Sequence, residues 1–246
     1  NARNDNNFKV IEPYLNEVLN LIIQIGQVKS ESLNLSLYNA LLDDYEPGGN
    51  SKDIDILFSA YTKFLPEFLE KVLSFQKTKP NIIPLTGPFP IQKQKDLGVA
   101  LMGLLGFDFT HGRLDISHHP FCGGTTEDIR ITTRYDEDDF TSSLMGVLHE
   151  TGHALYEMGL PKKWQKQPVG QAMGMSIHES QSLLFEMQVC RSESFLKWMS
   201  PIVQKYLGSN SHAFEAENLY RLYTQVQPSL IRVDADEVTY PAHIIL

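Results

Sequence analysis

The stretch that decides the fold is Phe140–Met158, which reads FTSSLMGVLHETGHALYEM. Apolar residues flank its polar centre, so it predicts a helix that is buried or lines a cleft. His149 and His153 are four residues apart and face the same side of that helix, where both imidazoles can reach one metal ion. Glu150 is rotated by about 100° from His149 and can reach a water molecule beside the ion. The pattern H-E-x-x-H therefore predicts a catalytic zinc site, with two core histidines as the alternative interpretation.

A catalytic zinc needs a third protein ligand, and the nearest spacing does not provide it. Tyr156 and Gly159 stand where H-E-x-x-H-x-x-G-x-x-H requires Gly and His, so the metzincin pattern fails. Glu157 follows His153 by four residues, but helical rotation turns it away from His149. A ligand from a second helix is therefore expected.

Glu179 is the preferred third ligand, with its neighbour His178 as the alternative. The break at Gly159-Leu160-Pro161 ends the first helix and leaves room for a chain reversal. A second helix can then present Glu179 to the same ion, which gives a His-His-Glu site. Glu179, Ser182 and Glu186 share one face of this second helix.

The rest of the chain predicts a mainly α fold with a small β-sheet element near residues 112–135. Residues 113–117 and 128–132 alternate polar and apolar side chains, which is typical of short strands, and Gly123-Gly124 lies between them. Pro66 lies inside a helical pattern and is expected to kink or divide it. Helices are predicted over residues 10–25, 51–75, 91–105, 140–158, 169–199 and 212–226 and from about 234 onward.

The composition excludes several classes of protein. Asp and Glu outnumber Lys and Arg by 30 to 21, which gives a net charge of −9. Because a negative surface repels phosphate groups, the composition disfavours a general nucleic-acid binder. The longest apolar run, Leu97–Phe107, is too short for a membrane span, which needs about 20 residues. Cys122 and Cys190 form no disulfide framework, so a reducing, cytoplasmic location is expected.

Five motifs occur in one order along the chain, and together they resemble the carboxypeptidase Taq family of metallocarboxypeptidases. They are H-P-F at 119–121, D-x-R-x-T at 128–132, H-E-x-x-H at 149–153, H-E-S-Q at 178–181 and I-R-x-x-A-D at 231–236. The resemblance implies a zincin-like helical peptidase domain. It also implies a homodimer that acts on peptides with a free C-terminal carboxylate.

One family motif, G-x-x-Q-D-x-H-W, is expected downstream of I-R-x-x-A-D and is not reached before Leu246. The chain begins at Asn1 without Met and stops within an apolar patch. We therefore expect one catalytic-region piece, truncated at both ends. Its expected parts are N-terminal helices (1–106), a small β element (107–139) and metal-binding helices (140–246).

The resemblance and the residue chemistry together imply roles for the metal site. A zinc ion, or cobalt, is expected on His149, His153 and Glu179, with Glu150 as the general base. The expected reaction releases single C-terminal amino acids. The alternatives are a gluzincin endopeptidase or aminopeptidase, a non-catalytic helical scaffold, or an inactive fragment.

Other candidates are expected to assist substrate or metal. An arginine suits a substrate carboxylate because its guanidinium binds carboxylates in a bidentate fork. Arg232 is the first candidate and Arg130 the second, with structural salt bridges to nearby aspartates as the alternative for each. Further candidates near the site, each with a structural alternative, are His119, Asp128 as an acceptor for a ligand histidine, and Tyr240 and His243 as oxyanion donors.

Overall fold

The computed structural model describes residues 2, 5–208, 211–230 and 235–245. The chain divides into two compact units, one of Asn1–Ser59 with Met173–Ser176 and the other of Ala60–Ala172 with Ile177–Leu246. The helices are α1 (Glu12–Leu33), α2 (Leu37–Leu42), α3 (Ser51–Gln76), α4 (Ile91–Leu104), α5 (Phe140–Gly159), α6 (Met175–Leu183), α7 (Glu193–Leu207), α8 (Ala216–Tyr223) and α9 (Tyr240–Ile245). The strands are β1 (Gly112–Ile116), β2 (Phe121–Thr125) and β3 (Asp128–Thr133). This confirms the predicted mainly α fold with a small sheet.

The first unit is built on the packing of α1 against α2. Gly26 permits it, because a Cβ atom there would lie 3.0 Å from Leu37 Cδ1 and 3.2 Å from Leu41 Cδ1. The apolar residues of α1 are largely uncovered. Val18 and Ile25 are 53% and 49% exposed. These residues therefore form an apolar surface in this structure.

In the second unit, α5 is buried on two sides. Leu144 and Leu148 pack into a core with α4, α7 and α8, where the ring of Phe140 stacks at 5.9 Å on that of Phe214. On its other side, Val147 and Ala154 pack against the sheet. This double burial accounts for the apolar flanks of the H-E-x-x-H sequence.

The sheet has the order β1-β3-β2, with β1 parallel and β2 antiparallel to β3. Alternate residues of β3 face inward, and Ile129 and Ile131 are buried. Burial of each such side chain contributes roughly 1.5–3 kcal/mol. Strand β2 was not predicted, because its Gly123-Gly124 resembles a turn. A Cβ atom on Gly124 would lie 2.1 Å from the carbonyl oxygen of Asp128, so only glycine fits there.

The structure corrects one predicted helix, and it excludes one of the two outcomes expected at Pro66, a kink or a division. The helix predicted over 169–199 is divided into α6, a π-helical segment Leu184–Val189 and α7. Gly174, at φ +141°, precedes α6, and the Ser192 side chain accepts the Phe195 N–H to begin α7. The expected division at Pro66 does not occur, and α3 continues through it. A proline removes only one backbone donor, and the neighbouring turns retain theirs.

Within the described ranges, no helix combines the length and the apolar character that crossing a bilayer requires.

The N-terminus of α5 is held by Asp139. Its Oδ1 accepts the N–H groups of Thr141 (2.8 Å) and Ser142 (3.4 Å). Burial raises the pKa of Asp139, but hydrogen bonds from Ser142 and Thr141 outweigh it and hold the pKa below its usual value.

We expect Asp139→Ala to lower the free energy of unfolding by about 1 kcal/mol, because two helix N–H groups lose their acceptor. Urea unfolding followed by circular dichroism measures the loss. Asp138→Ala is the matched control, since Asp138 is exposed and its hydrogen bond within the described part of the chain is from its backbone N–H to Asp136. Equal stability of the two variants would contradict the capping role.

Candidate metal centre

The centre of α5 carries the two histidines on one face, as predicted. The ring centroids of His149 and His153 lie 5.0 Å apart, and the rings are nearly perpendicular at 80°. His153 is buried and His149 is partly buried. Between them, Thr151 is fully buried and donates its hydroxyl to the Val147 carbonyl at 2.6 Å. The histidines therefore project from a rigid, packed helix.

A close helix contact brings the third residue to them. A Cβ atom on Gly152 would lie 2.6 Å from the carbonyl oxygen of Gln181 and 2.7 Å from the Cα of Ser182. Helix α6 therefore rests its backbone directly on α5 at this glycine. The contact places Glu179, on the same helix, beside the two imidazoles.

His149, His153 and Glu179 form a cluster whose ligand atoms all lie within 4.8 Å of one another. One Glu179 oxygen lies 3.7 Å from His149 Nε2, and the other lies 3.3 Å from His153 Nε2. Ligands about 2.1 Å from a tetrahedral zinc are ~3.4 Å apart. The residue types and the spacing therefore fit a divalent metal ion. The contact with His153 is the main reason that the pKa of Glu179 is lowered.

Glu150 is buried beside this cluster but is not a member of it. Burial is the main reason that its pKa is raised, and the negative charges of Glu179 and Glu186 raise it further. His149 and His153 oppose the shift. A carboxyl group with a raised pKa in such a position suits proton transfer.

The outer nitrogen of His149 has a carboxylate partner that the sequence reasoning did not assign. His149 Nδ1 donates to Glu186 Oε2 at 2.9 Å, and Glu186 Oε1 accepts from Arg191 at 2.6 Å. Burial raises the pKa of Glu186, but His149 and Arg191 outweigh it and lower the pKa overall. Burial lowers the pKa of His149, and Glu186 reverses this to a net increase. The shared helix face of Glu179 and Glu186 was the available signal.

His178, the alternative third ligand, lies outside the cluster. Its Nδ1 is 2.6 Å from His153 Nδ1, the nitrogen that points away from Glu179. Its Nε2 contacts Glu157 at 2.8 Å. His178 thus contacts His153 on the side that faces away from Glu179, and Glu157 in turn contacts His178.

Arg130 and Asp128 are exposed on the outward face of strand β3 and are paired with each other. The Arg130 guanidinium donates to Asp128 at 2.6 Å, and this hydrogen bond is the main reason that the pKa of Asp128 is lowered. Asp128 is therefore bonded to Arg130. Glu186, and not Asp128, accepts the hydrogen bond from the outer nitrogen of His149. The pair of Arg130 and Asp128 matches the salt-bridge alternative considered for Arg130.

The remaining candidates lie at separate places. His119 is exposed, and its carbonyl accepts the Thr132 hydroxyl at 3.1 Å. The adjacent Pro120 approaches α5, since its ring lies 3.7 Å from where a Gly146 Cβ would be. Tyr240 and His243 lie on α9 and are partly buried. Arg232 lies outside the described residues.

Comparisons with known proteins bear on the whole chain. The sequence profile of carboxypeptidase Taq (M32) metallopeptidases matches residues 1–246. Thermostable carboxypeptidase 1 of Thermus thermophilus is 41% identical over 85% of this chain and 41% of its own length. Carboxypeptidase 1 of Bacillus subtilis is 34% identical over 100% of this chain and 48% of its own.

Solved structures agree with the sequence comparison. Metallocarboxypeptidase 1 of Trypanosoma cruzi superposes with a TM-score of 0.88 and 42% identity, over 95% of this chain and 48% of that one. An M32 carboxypeptidase from Deinococcus radiodurans gives a TM-score of 0.86 and 32% identity, over 99% and 48%. The chain therefore spans about half the length of the relatives it matches.

Proposed function

The chain belongs to the carboxypeptidase Taq (M32) family of metallopeptidases, and we propose that its protein is a metal-dependent carboxypeptidase. The proposed reaction releases single C-terminal amino acids from peptides. The observation that carries the proposal is the cluster of His149, His153 and Glu179, with the buried Glu150 beside it. Named carboxypeptidases among the relatives support it.

We propose that the Nε2 atoms of His149 and His153 and the carboxylate of Glu179 hold zinc, or cobalt in its place. Two imidazoles and one carboxylate are a typical donor set for a catalytic site that retains an open position. When bound, the ion would polarise the scissile carbonyl and lower the pKa of a nearby water molecule.

The protein's own residues would move the protons. Glu150 would accept a proton from the attacking water and pass it to the leaving amine. Its raised pKa, caused mainly by burial, brings the carboxylate closer in basicity to neutral pH. Glu186 would keep His149 oriented through the 2.9 Å hydrogen bond to its Nδ1.

Recognition of the substrate's free carboxylate is proposed for Arg232 first. Arg130 is the weaker candidate, because its guanidinium is engaged by Asp128. His119 is proposed to lie near the peptide through the contact of its neighbour Pro120 with α5. Tyr240 and His243 remain proposed donors to the developing oxyanion.

The family resemblance is also the basis for proposing a homodimer. Two unpaired cysteines support a cytoplasmic location, since reducing compartments disfavour disulfides. The net charge of −9 supports peptides, and not nucleic acids, as the partners.

The proposal is tested with an N-terminally blocked peptide, offered as its free acid and as its C-terminal amide. We expect single amino acids to be released from the free acid. We expect kcat/KM for the amide to be about 10²-fold lower or more, because an unpaired buried charge costs ~3–5 kcal/mol. A chelator should abolish the activity, and added zinc should restore it. Liquid chromatography of the products measures all three.

The other outcomes identify the alternatives. Equal cleavage of acid and amide would indicate an endopeptidase, and a requirement for a free N-terminus would indicate an aminopeptidase. Purified protein that retains no divalent metal and cleaves neither peptide would indicate a non-catalytic scaffold or an inactive fragment.

A further inference from the structure

The geometry points to His178 and Glu157 as positioning residues that fix which nitrogen of His153 carries the proton. They would do so through a hydrogen-bonded series, His153 to His178 to Glu157, which leaves the Nε2 lone pair of His153 free for the metal. This inference rests on the proposed function only in taking the cluster as a metal site. The activity of the protein is a separate question.

The three side chains form a continuous series on the far side of His153 from Glu179. His153 Nδ1 is 2.6 Å from His178 Nδ1, and His178 Nε2 is 2.8 Å from Glu157 Oε1. All three are largely withdrawn from solvent, with side-chain exposures of 11%, 15% and 27% along the series. Water therefore competes weakly for these hydrogen bonds.

The proton positions follow from the metal. His153 can bind an ion through Nε2, the nitrogen that faces Glu179 at 3.3 Å, only if that nitrogen is unprotonated. The proton must then be on Nδ1, which makes His153 the donor toward His178. His178 Nδ1 must accept, so the proton of the neutral His178 ring is on Nε2, where it is donated to Glu157. One arrangement of protons satisfies every contact in the series.

The fold explains how two residues of α5 are joined through a third. Glu157 follows His153 by one helical turn of α5. The ring of His178, from α6, lies between the Glu157 carboxylate and His153 Nδ1 and joins them by hydrogen bonds. The ring of Tyr156 packs edge-on against His178 at 5.1 Å and 89°. The inserted ring is thereby held in a fixed orientation.

The two ligand histidines thus have different outer partners. His149 donates to the Glu186 carboxylate directly, whereas His153 donates to a neutral imidazole. A direct carboxylate raises the basicity of its histidine, while a neutral acceptor mainly fixes orientation and tautomer. His178 would therefore act on metal affinity through geometry more than through charge.

The test measures zinc affinity by competition with a chelator of known affinity. His178→Phe keeps a ring against Tyr156 but removes the acceptor, and we expect zinc to bind about 10–100-fold more weakly. His178→Asn offers an oxygen near the position of Nδ1 and should recover part of the loss. His212→Phe is the matched control, because it removes an exposed histidine that also contacts a glutamate. It should leave the affinity unchanged.

A second measurement needs no variant and reports the hydrogen bond itself. In zinc-loaded protein with ¹⁵N-labelled histidine, we expect a nitrogen–nitrogen coupling between His153 Nδ1 and His178 Nδ1 across their shared proton. This measurement is made on the wild-type protein, so it remains available if His178→Phe does not fold, and ring packing without the hydrogen bond would not produce the coupling.

The outcomes separate the inference from the proposed function. Native zinc affinity in folded His178→Phe, or absence of the coupling in the zinc-loaded protein, would overturn the inference alone. A protein that binds zinc and shows the coupling but cleaves no peptide would refute the proposed function and leave the inference standing. A wild-type protein that binds neither zinc nor cobalt would refute both.

Discussion

Glu150→Gln is expected to lower kcat for a free-acid peptide by about 10²–10⁴-fold while the protein retains its metal. The change replaces one carboxylate oxygen by an amide nitrogen, so the side chain keeps its shape but can no longer accept a proton at neutral pH. The fold should tolerate it, since Glu150 is buried and a neutral amide is easier to desolvate than a carboxylate. Steady-state kinetics and elemental analysis of the same preparation measure the two quantities.

Glu217→Gln is the control for this experiment. Glu217 is 82% exposed in its side chain, and among the described residues its ion pair is with Arg221 on α8, so its replacement should leave both turnover and metal content unchanged. Wild-type turnover in Glu150→Gln would contradict the role of general base. Loss of metal from Glu150→Gln would instead indicate that Glu150 is a metal ligand, although it is not a member of the cluster.

The sequence was most informative where one helix carries the chemistry. The interval between His149 and His153 needs only helical geometry to put both rings on one face. The choice of Glu179 depended on a chain reversal after Gly159-Leu160-Pro161, and the structure brings Glu179 to both histidines. Placing a third residue required no more than knowing that two helices meet.

The outer hydrogen bonds were beyond that reasoning, because they depend on the distance and rotation between helices. His178 was considered as a ligand and Glu157 was rejected, yet the two meet each other behind His153. The pairing of His149 with Glu186 depends on how closely α6 and the π-helical segment approach α5. Periodicity within one helix does not determine how closely another helix approaches it. Here the close approach of α6 to α5 is permitted by Gly152.

Strand β2 and the divided helix show the same limit. Gly123 and Gly124 have poor strand propensity, and pairing with β3 overrides it. The helix predicted over 169–199 is interrupted because the Ser192 side chain accepts the Phe195 N–H and so caps the start of a new helix. Tertiary contacts and caps decided both cases.

Gly152→Ala is the second change with a large expected effect, and its sign opposes helix propensity. Alanine in a helix interior normally stabilises by about 0.5–1 kcal/mol relative to glycine. Here the new methyl group would lie 2.6 Å from the carbonyl oxygen of Gln181 and 2.7 Å from the Cα of Ser182, and backbone atoms cannot rotate away. We expect a loss of about 1–3 kcal/mol in the free energy of unfolding, as in overpacked cores. Urea unfolding measures it.

The same displacement should also weaken zinc binding, because Glu179 lies on the helix that would be pushed away. Gly159→Ala is the matched control on α5, since within the described residues no atom beyond the neighbouring helix backbone lies within 4 Å of the position its Cβ would take. It should unfold at the same urea concentration as the wild type or a higher one, with unchanged zinc affinity. If Gly152→Ala were as stable as Gly159→Ala and bound zinc as tightly, the close contact of α5 and α6 could not be what positions the third ligand.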